Sequence, residues 1–202
     1  MESEQPVDCL YLVRDAFGEQ YAEAYRPAAW TRVHGSALPD DPRMARAAAL
    51  VAVHSGRDEE LRDALDRFGF EHGVPTVGIE LLPTRIVCGP AVIPGATACY
   101  SCHLRRGEQH QDPARPDRVA EATRGLPEGF GPMHLAVAHG LLELARAELR
   151  DGPAGLGATV RKFDLVTSAV STASTVAVDR CPRCGTRWAD ERKGVDALAG
   201  LV

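Results

Sequence analysis

The chain has 202 residues, 45% of them hydrophobic and 25% charged, and its formal net charge at pH 7 is −5. That charge argues against a strongly basic nucleic-acid surface, and no run approaches the roughly 20 apolar residues that span a bilayer. The acidic, polar start, Met1 to Pro6, is unlike a signal peptide. We therefore expect one cytoplasmic domain without a membrane or nucleic-acid partner, and we expect the basic pair Arg105 and Arg106 to be ordinary solvated surface.

Strands and helices alternate over the first 82 residues, which predicts a parallel α/β sheet. The apolar second half of 45–54 has the pattern of a strand buried on both faces. The other predicted elements are a strand at Val7–Val13, a helix from about Phe17 to Tyr25 capped by Asp15, a short strand at Trp30–His34, a helix at Glu59–Glu71 capped by Ser55 and ended by Gly73, and a strand at Thr76–Leu82.

The second part of the chain has a different order of elements. Arg85–Ile93 predicts one or two strands, and the polar, Pro- and Gly-containing stretch Gln109–Gly131 predicts a long crossover. Met133–Leu149 carries a broad apolar face and predicts a largely buried helix. After a glycine-rich turn, Val160–Val166 and Ser174–Val178 predict an antiparallel hairpin.

Two Cys-x-x-Cys pairs far apart in sequence predict one tetrahedral zinc site, with Cys99, Cys102, Cys181 and Cys184 as its ligands. Thiols stay reduced in the cytoplasm, so paired cysteines indicate a metal rather than disulfides. A site closed by four cysteines has no open position for a metal-bound water, so we predict a structural metal. A thioredoxin-like redox role for the first pair is the competing interpretation.

The other candidate ligands are weaker. His103 and His110 lie near the first pair, and either has the chemistry to replace a cysteine. Cys9 and Cys88 each lie in an apolar run, and we expect both to be small buried hydrophobic residues.

Catalytic motifs are not evident in the sequence. The turn after the first strand, 14–18, contains one glycine, which is a poor cradle for a nucleotide pyrophosphate. There is no Walker loop, Gly-x-Ser-x-Gly or His-Glu-x-x-His motif. The best candidate ligand edge follows the central strand, where α/β proteins usually bind ligands, at His54, Ser55, Arg57 and Asp58.

The run Gly89–Arg106 contains Gly-Pro-Ala-Val-Ile-Pro-Gly-Ala-Thr-Ala-Cys-Tyr-Ser-Cys. It resembles the zinc-knuckle segment of the ThiF-like proteins of ribosomal peptide natural-product biosynthesis. In that family this run precedes an Ala/Leu-rich helix, a hairpin and a terminal Cys-Pro-x-Cys-Gly, and this chain follows the same order from about Val7 to Arg187. The first third matches only in its alternation of elements.

The resemblance implies a ThiF-type, Rossmann-like domain over 1–202, with a degenerate Rossmann part at 7–93 and a zinc-knuckle part at 94–202. It implies a non-catalytic adaptor that partners a YcaO-type cyclodehydratase, engages a precursor (leader) peptide and forms a homodimer. An N-terminal winged-helix module, frequent in the family, is not expected because the first strand begins so early. Two alternatives stay open: a reduced ATP-dependent adenylating enzyme of the ThiF/MoeB type, and a dimeric zinc protein with an unrelated small ligand.

Overall fold

A computed structural model of the protein describes residues 8–109, 129–153 and 157–185. These residues form a mixed α/β fold around a seven-stranded sheet. In chain order the helices and strands are β1 (Leu10–Val13), α1 (Asp15–Tyr25), β2 (Ala29–Arg32), β3 (Leu50–Ser55), α2 (Glu59–His72), β4 (Thr76–Leu82), β5 (Arg85–Cys88), α3 (Tyr100–Gln109), α4 (Pro132–Asp151), β6 (Ala158–Asp164) and β7 (Val170–Thr175).

The strands are ordered β2-β1-β3-β4-β5-β6-β7 across the sheet. The first four are parallel to one another, and β5, β6 and β7 are each antiparallel to the preceding neighbour. Strands β1, β3 and β4 are buried along their whole length. Burial on both faces explains why these three strands are almost continuously apolar in sequence.

Helices cover the two faces of the sheet. One face packs against α1 and α4, with Phe17, Leu142 and Val53 in its core. The other face packs against α2, with Leu61 and Leu65 beneath it. Helix α1 lies so close to β3 that residue 18 must be a glycine. A Cβ atom added at Gly18 would lie 2.5 Å from the Val53 carbonyl oxygen.

The alternation predicted for the first 82 residues is confirmed, and so is the buried long helix α4. The prediction that Ser55 caps α2 is wrong. Ser55 is still paired in β3, and the Asp58 carboxylate accepts a hydrogen bond from the Leu61 amide of α2 at 3.0 Å. The second hairpin strand lies at Val170–Thr175, earlier in the chain than the predicted Ser174–Val178.

Helix α3 was not predicted from the sequence, because it is short and most of its residues are polar or charged. Most of the predicted crossover, 109–131, and the terminal segment lie outside the described residues. Within the described ranges, no helix is both long and apolar enough to cross a membrane.

Candidate functional site

The first cysteine pair is positioned by a tight turn that the sequence Ile93 to Thr97 forms. The buried Thr97 hydroxyl accepts a hydrogen bond from the Ile93 amide at 2.8 Å and lies 3.4 Å from the Ala91 carbonyl. Gly95 has φ of +76°, which only glycine adopts readily. The turn therefore fixes the chain direction at the start of α3, where Cys99 and Cys102 lie.

The four predicted cysteines come together in one buried cluster, with their sulfur atoms all within 4.8 Å of one another. The Sγ atoms of Cys99 and Cys181 are 3.6 Å apart, and those of Cys102 and Cys184 are 3.5 Å apart. These separations are far longer than the S–S bond of about 2.05 Å in a disulfide. The cluster therefore consists of four free thiols from two distant parts of the chain.

The geometry of the cluster fits a tetrahedral metal ion. Four sulfur atoms, each about 2.3 Å from one zinc ion, form a tetrahedron with edges of about 3.8 Å. The Val178 amide lies 3.2 Å from the Cys102 sulfur and donates a hydrogen bond to it. Such bonds from surrounding groups orient sulfur ligands and tune a metal site. The donor set and its surroundings could therefore hold a soft or borderline divalent cation.

The titration of the cluster also favours a cation. The pKa of the Cys102 thiol is lowered to about 2, first by its hydrogen bond with Cys184 and then by that with Cys99. The pKa of Cys184 is raised to about 12, chiefly by the same hydrogen bond with Cys102. One thiolate is therefore stabilised by protons on its neighbours. A divalent cation displaces those protons when it binds, because the metal ligand is the thiolate.

The second cysteine pair is anchored to α2 through the arginine between its cysteines. The Arg183 Nη1 atom donates to Asp63 at 2.7 Å and to Asp66 at 2.6 Å. Asp66 also accepts a hydrogen bond from the Tyr100 amide at the start of α3. One carboxylate on α2 thus holds both cysteine segments in place. At Gly185 a Cβ atom would lie 2.5 Å from the Cys181 backbone, so close packing requires a glycine at the end of this pair.

Neither histidine near the first pair belongs to the cluster that the structure describes. The His103 ring bonds through Nδ1 to the Thr175 hydroxyl at 3.1 Å, and His110 lies outside the described residues. Cys9 and Cys88 are buried at 8% and 0% exposure, as predicted. Arg105 is exposed, as expected, whereas Arg106 is half-buried and its guanidinium donates to the Ala177 carbonyl, which holds α3 beside the chain that leaves β7.

The carboxyl ends of the parallel strands hold a second polar cluster, centred on Asp15. One Asp15 oxygen accepts hydrogen bonds from the Phe17 and Gly18 amides of α1, so Asp15 caps this helix as predicted. The other oxygen accepts from both the amide and the hydroxyl of Ser55, at 2.8 and 2.9 Å. A carboxylate therefore occupies the helix N-terminus, the position where an α/β fold usually holds a phosphate.

The predicted ligand edge beside this cluster is largely closed. His54, Ser55 and Asp58 are all buried, and only Arg57 of that set is exposed. The Asp58 carboxylate forms an ion pair with Arg14 and accepts a hydrogen bond from the Ser36 hydroxyl at 3.1 Å. Burial lowers the pKa of His54 to about 4, and the Arg62 guanidinium adds to that effect. The carboxylates of this region are therefore satisfied by the chain itself, whereas the buried Nε2 atom of His54 has no hydrogen-bond partner among the described residues.

A buried arginine that sequence reasoning missed links the two regions. Arg62 donates to the Glu80 carboxylate at 3.1 Å and to the Gly89 carbonyl at 2.8 Å, and its guanidinium lies 5.0 Å from the centre of the Tyr100 ring. It lies directly over Gly78, where a Cβ atom would overlap it. The available sequence signals were a charged residue on the apolar face of α2 and a glycine in the interior of strand β4.

No protein-family model matches this sequence, and no curated protein matches it. Solved structures do share its fold. One is the heterocyclase TruD, at a TM-score of 0.59 and 18% identity over 94% of this chain and 29% of that chain. This chain thus spans less than a third of the heterocyclase. At this identity, the likeness establishes the fold alone.

Two further solved structures share the fold. In the E. coli microcin synthetase McbBCD complex, one chain matches with a TM-score of 0.57 and 13% identity, over 90% of this chain and 70% of that one. A related structure of that complex has pro-MccB17 bound. E. coli MccB, in a structure with ATP, matches with a TM-score of 0.54 and 11% identity over 89% of this chain and 66% of that one.

Proposed function

We propose that this protein is a ThiF-like, non-catalytic partner of a YcaO-type cyclodehydratase and helps that enzyme to engage a precursor peptide. The proposal treats 1–202 as a single Rossmann-like domain of cytoplasmic protein, with 7–93 as a degenerate nucleotide-binding part. The fold that it shares with chains of a heterocyclase and of a microcin synthetase complex supports this assignment.

The observation that carries the non-catalytic part of the proposal is the position of Asp15. A nucleotide phosphate needs the free amides of a helix N-terminus, and at α1 two of these amides are bonded to the Asp15 carboxylate. The same carboxylate would repel a phosphate by charge. In this proposal the YcaO partner supplies the ATP chemistry, and this chain contributes binding surface.

We propose zinc as the ion held by Cys99, Cys102, Cys181 and Cys184. Thiolate ligands select soft and borderline cations, and zinc accepts tetrahedral geometry without penalty. An ion with four protein ligands offers no position for substrate or water, so its contribution is to the fold. It ties the start of α3 to the chain that follows β7.

Reconstitution tests the function. The chain is mixed with a YcaO-type enzyme, its precursor peptide and ATP, and ring formation is followed by mass spectrometry as the loss of one water per ring. We expect a complex of the three at micromolar concentration and faster ring formation than with enzyme and precursor alone. Absence of both would overturn the proposal.

A second candidate function is adenylation of a carboxylate, which the shared fold with ATP-bound MccB favours. Calorimetry with ATP and a pyrophosphate-exchange assay on the isolated chain separate the two candidates. We expect no ATP binding between roughly 1 μM and 1 mM, the range in which enzymes commonly bind their substrates. Tight ATP binding would favour the adenylating enzyme and contradict the adaptor.

A further inference from the structure

Strand β7 is an edge of the sheet that is exposed on both of its faces. Its first five residues, Val170 to Ser174, are all exposed, and only Thr175 is buried. Val170 is 60% exposed although it is apolar and β-branched. Among the described residues, β7 pairs only with β6, and no strand of these ranges lies on its outer side.

The pairing of β7 with β6 shows which of its backbone groups face outward. The Asp164 amide donates to the carbonyl of Ala169, so these two residues form a hydrogen-bonded pair next to the turn. Such pairs alternate along an antiparallel ladder. In this register the backbone N–H and C=O groups of Ser171 and Ala173 face β6. The backbone N–H and C=O groups of Val170, Thr172 and Ser174 point away from the sheet.

The opposite edge of the sheet, β2, is protected in the ways that natural edge strands usually are. It has four residues, and its last residue, Arg32, forms an ion pair with Glu19 of α1 at 3.0 Å. Strand β7 has six residues, Val-Ser-Thr-Ala-Ser-Thr, with no charge and no proline. Charges, proline and short length are the devices that keep edge strands from pairing. Strand β7 has none of them, which indicates that it pairs with another strand.

The residues around β7 indicate which charge a strand paired with its outer side would carry. Lys162 of β6 lies opposite Ser171, on the face of the sheet away from α4. The nearby guanidinium groups of Arg85 and Arg57 lower the pKa of Lys162, after the larger effect of burial. Lys162 is itself exposed, so its charge is within reach of a strand added beyond β7. Asp164 lies on the same face opposite Arg85, and its carboxylate accepts hydrogen bonds from the amides of Val166 and Thr167.

The small side chains of β7 leave this positive charge within reach of a neighbouring strand. Strands lie about 4.8 Å apart, so a residue beyond Ser171 is about 10 Å from the Lys162 backbone. A lysine side chain spans most of that distance, and Ser171 and Ala173 are too small to block it. At the other end of β7, Arg106 of α3 bonds the Val176 and Ala177 carbonyls. Acidic side chains on the same face of an added strand would meet both cations.

We propose that β7 binds an extended peptide segment with acidic side chains at alternate positions, which joins the sheet as an eighth strand. Six residues of β7 span about 20 Å, enough for a segment of similar length. The identification of this peptide with a precursor peptide rests on the proposed function. A second copy of this chain is disfavoured as the occupant, because it would bring its own Lys162 and Arg106 toward the same cations.

Fluorescence anisotropy tests the site in the intact, metal-loaded chain. The probe is a labelled peptide in which glutamate alternates with valine or threonine. A second probe has lysine in place of every glutamate, and a third has the same composition with its glutamates in one block. We expect binding of the alternating acidic probe and at least about tenfold weaker binding of the other two.

Two matched variants locate the peptide on β7. Thr172→Pro removes an outward N–H without breaking a bond to β6, and Thr172→Ala keeps that N–H. We expect Thr172→Pro to weaken binding about tenfold and Thr172→Ala to leave it unchanged, with equal thermal stability of the two.

Lys162→Glu, which leaves the backbone of β7 intact, should reverse the preference between the acidic and the lysine probe. Peptide binding should also slow hydrogen exchange at the Thr172 amide.

Equal binding of the acidic probe to wild type and to Thr172→Pro would overturn the proposal. So would a concentration-dependent dimer that Thr172→Pro abolishes, because β7 would then pair with a second copy. These measurements need no cyclodehydratase, so they fail independently of the proposed function. Binding at β7 without any effect on ring formation would contradict the adaptor role alone.

Discussion

The two polar clusters of this protein differ in how their buried polar groups are satisfied. At the carboxyl ends of the parallel strands, Asp15 and Asp58 accept hydrogen bonds from amides, hydroxyls and a guanidinium, all supplied by the chain itself. At the cysteine cluster, four sulfur atoms face one another, in two pairs whose separations are 3.6 and 3.5 Å. The two carboxylates of the first cluster are satisfied without a ligand, whereas the four thiols of the second offer a complete donor set for a cation. Proximity of polar groups therefore does not by itself define a binding site.

The largest expected effect is at the cysteine cluster. Cys181→Ser removes one of the four sulfur ligands and should lower the free energy of unfolding by on the order of 5 kcal/mol, or prevent folding, because a structural metal contributes folding energy directly. Thermal unfolding together with elemental analysis measures this, and we expect about one zinc per chain in the wild type. Cys9→Ser, outside the cluster, is the matched control. A stable Cys181→Ser protein, or a folded metal-free wild type, would contradict the metal site.

The next effect is a pH dependence that belongs to the strand-end cluster. His54 has a pKa of about 4 in the fold against an ordinary 6.5, so the unfolded chain binds more protons between these values. Its contribution to stability is therefore present above pH 6.5 and is lost as the pH falls toward 4. The shift corresponds to about 3 kcal/mol.

Denaturant unfolding of wild type and His54→Asn across this pH range isolates that effect. Acid also removes metal from thiolates, but it does so in both proteins, so the difference between them reports His54. We expect the stability advantage of wild type over His54→Asn to shrink by about 3 kcal/mol from pH 7 to pH 4. A difference independent of pH would show that His54 does not titrate as its burial requires.

A smaller effect should follow from Asp15→Ala, which leaves two amides of α1 and the buried Ser55 amide without an acceptor. Loss of the cap and of the bonds to Ser55 should lower the free energy of unfolding by about 2 kcal/mol. Asp15→Asn retains one carbonyl acceptor, so its free energy of unfolding should lie between those of wild type and Asp15→Ala. If Asp15→Asn and Asp15→Ala are equally stable, capping of α1 is not what Asp15 contributes.

The smallest effect is expected at the rim of the same cluster. Ser36→Ala removes the hydroxyl that donates to Asp58 and should cost about 1 kcal/mol in chemical denaturation. Ser36→Thr keeps the hydroxyl and is the control. A loss of unfolding free energy as large as that of Asp15→Ala would mean that Ser36 stabilises the cluster by more than its single hydrogen bond.

The sequence predicted those parts of the fold in which buried positions form a continuous or periodic apolar pattern. Strands β3 and β4 and helix α4 bury continuous or periodic apolar residues, and the cysteine spacing predicted which four thiols would meet. Strand β7 was misplaced because neither of its faces is buried, so its sequence carries no alternation. The cap of α2 was misassigned because Ser55 bonds to Asp15, forty residues away. Long-range polar contacts leave no local pattern.

The cysteine cluster also sets the order in which the protein is completed during synthesis. Cys99 and Cys181 are 82 residues apart, as are Cys102 and Cys184. Strands β1 to β5 lie before the first pair, so every partner within the parallel half has been made before α3 begins. The cluster must wait until α4, β6 and β7 have left the ribosome, because chains emerge N-terminal end first. The parallel strands can therefore pair early, α4 covers one of their faces later, and the metal closes the molecule last.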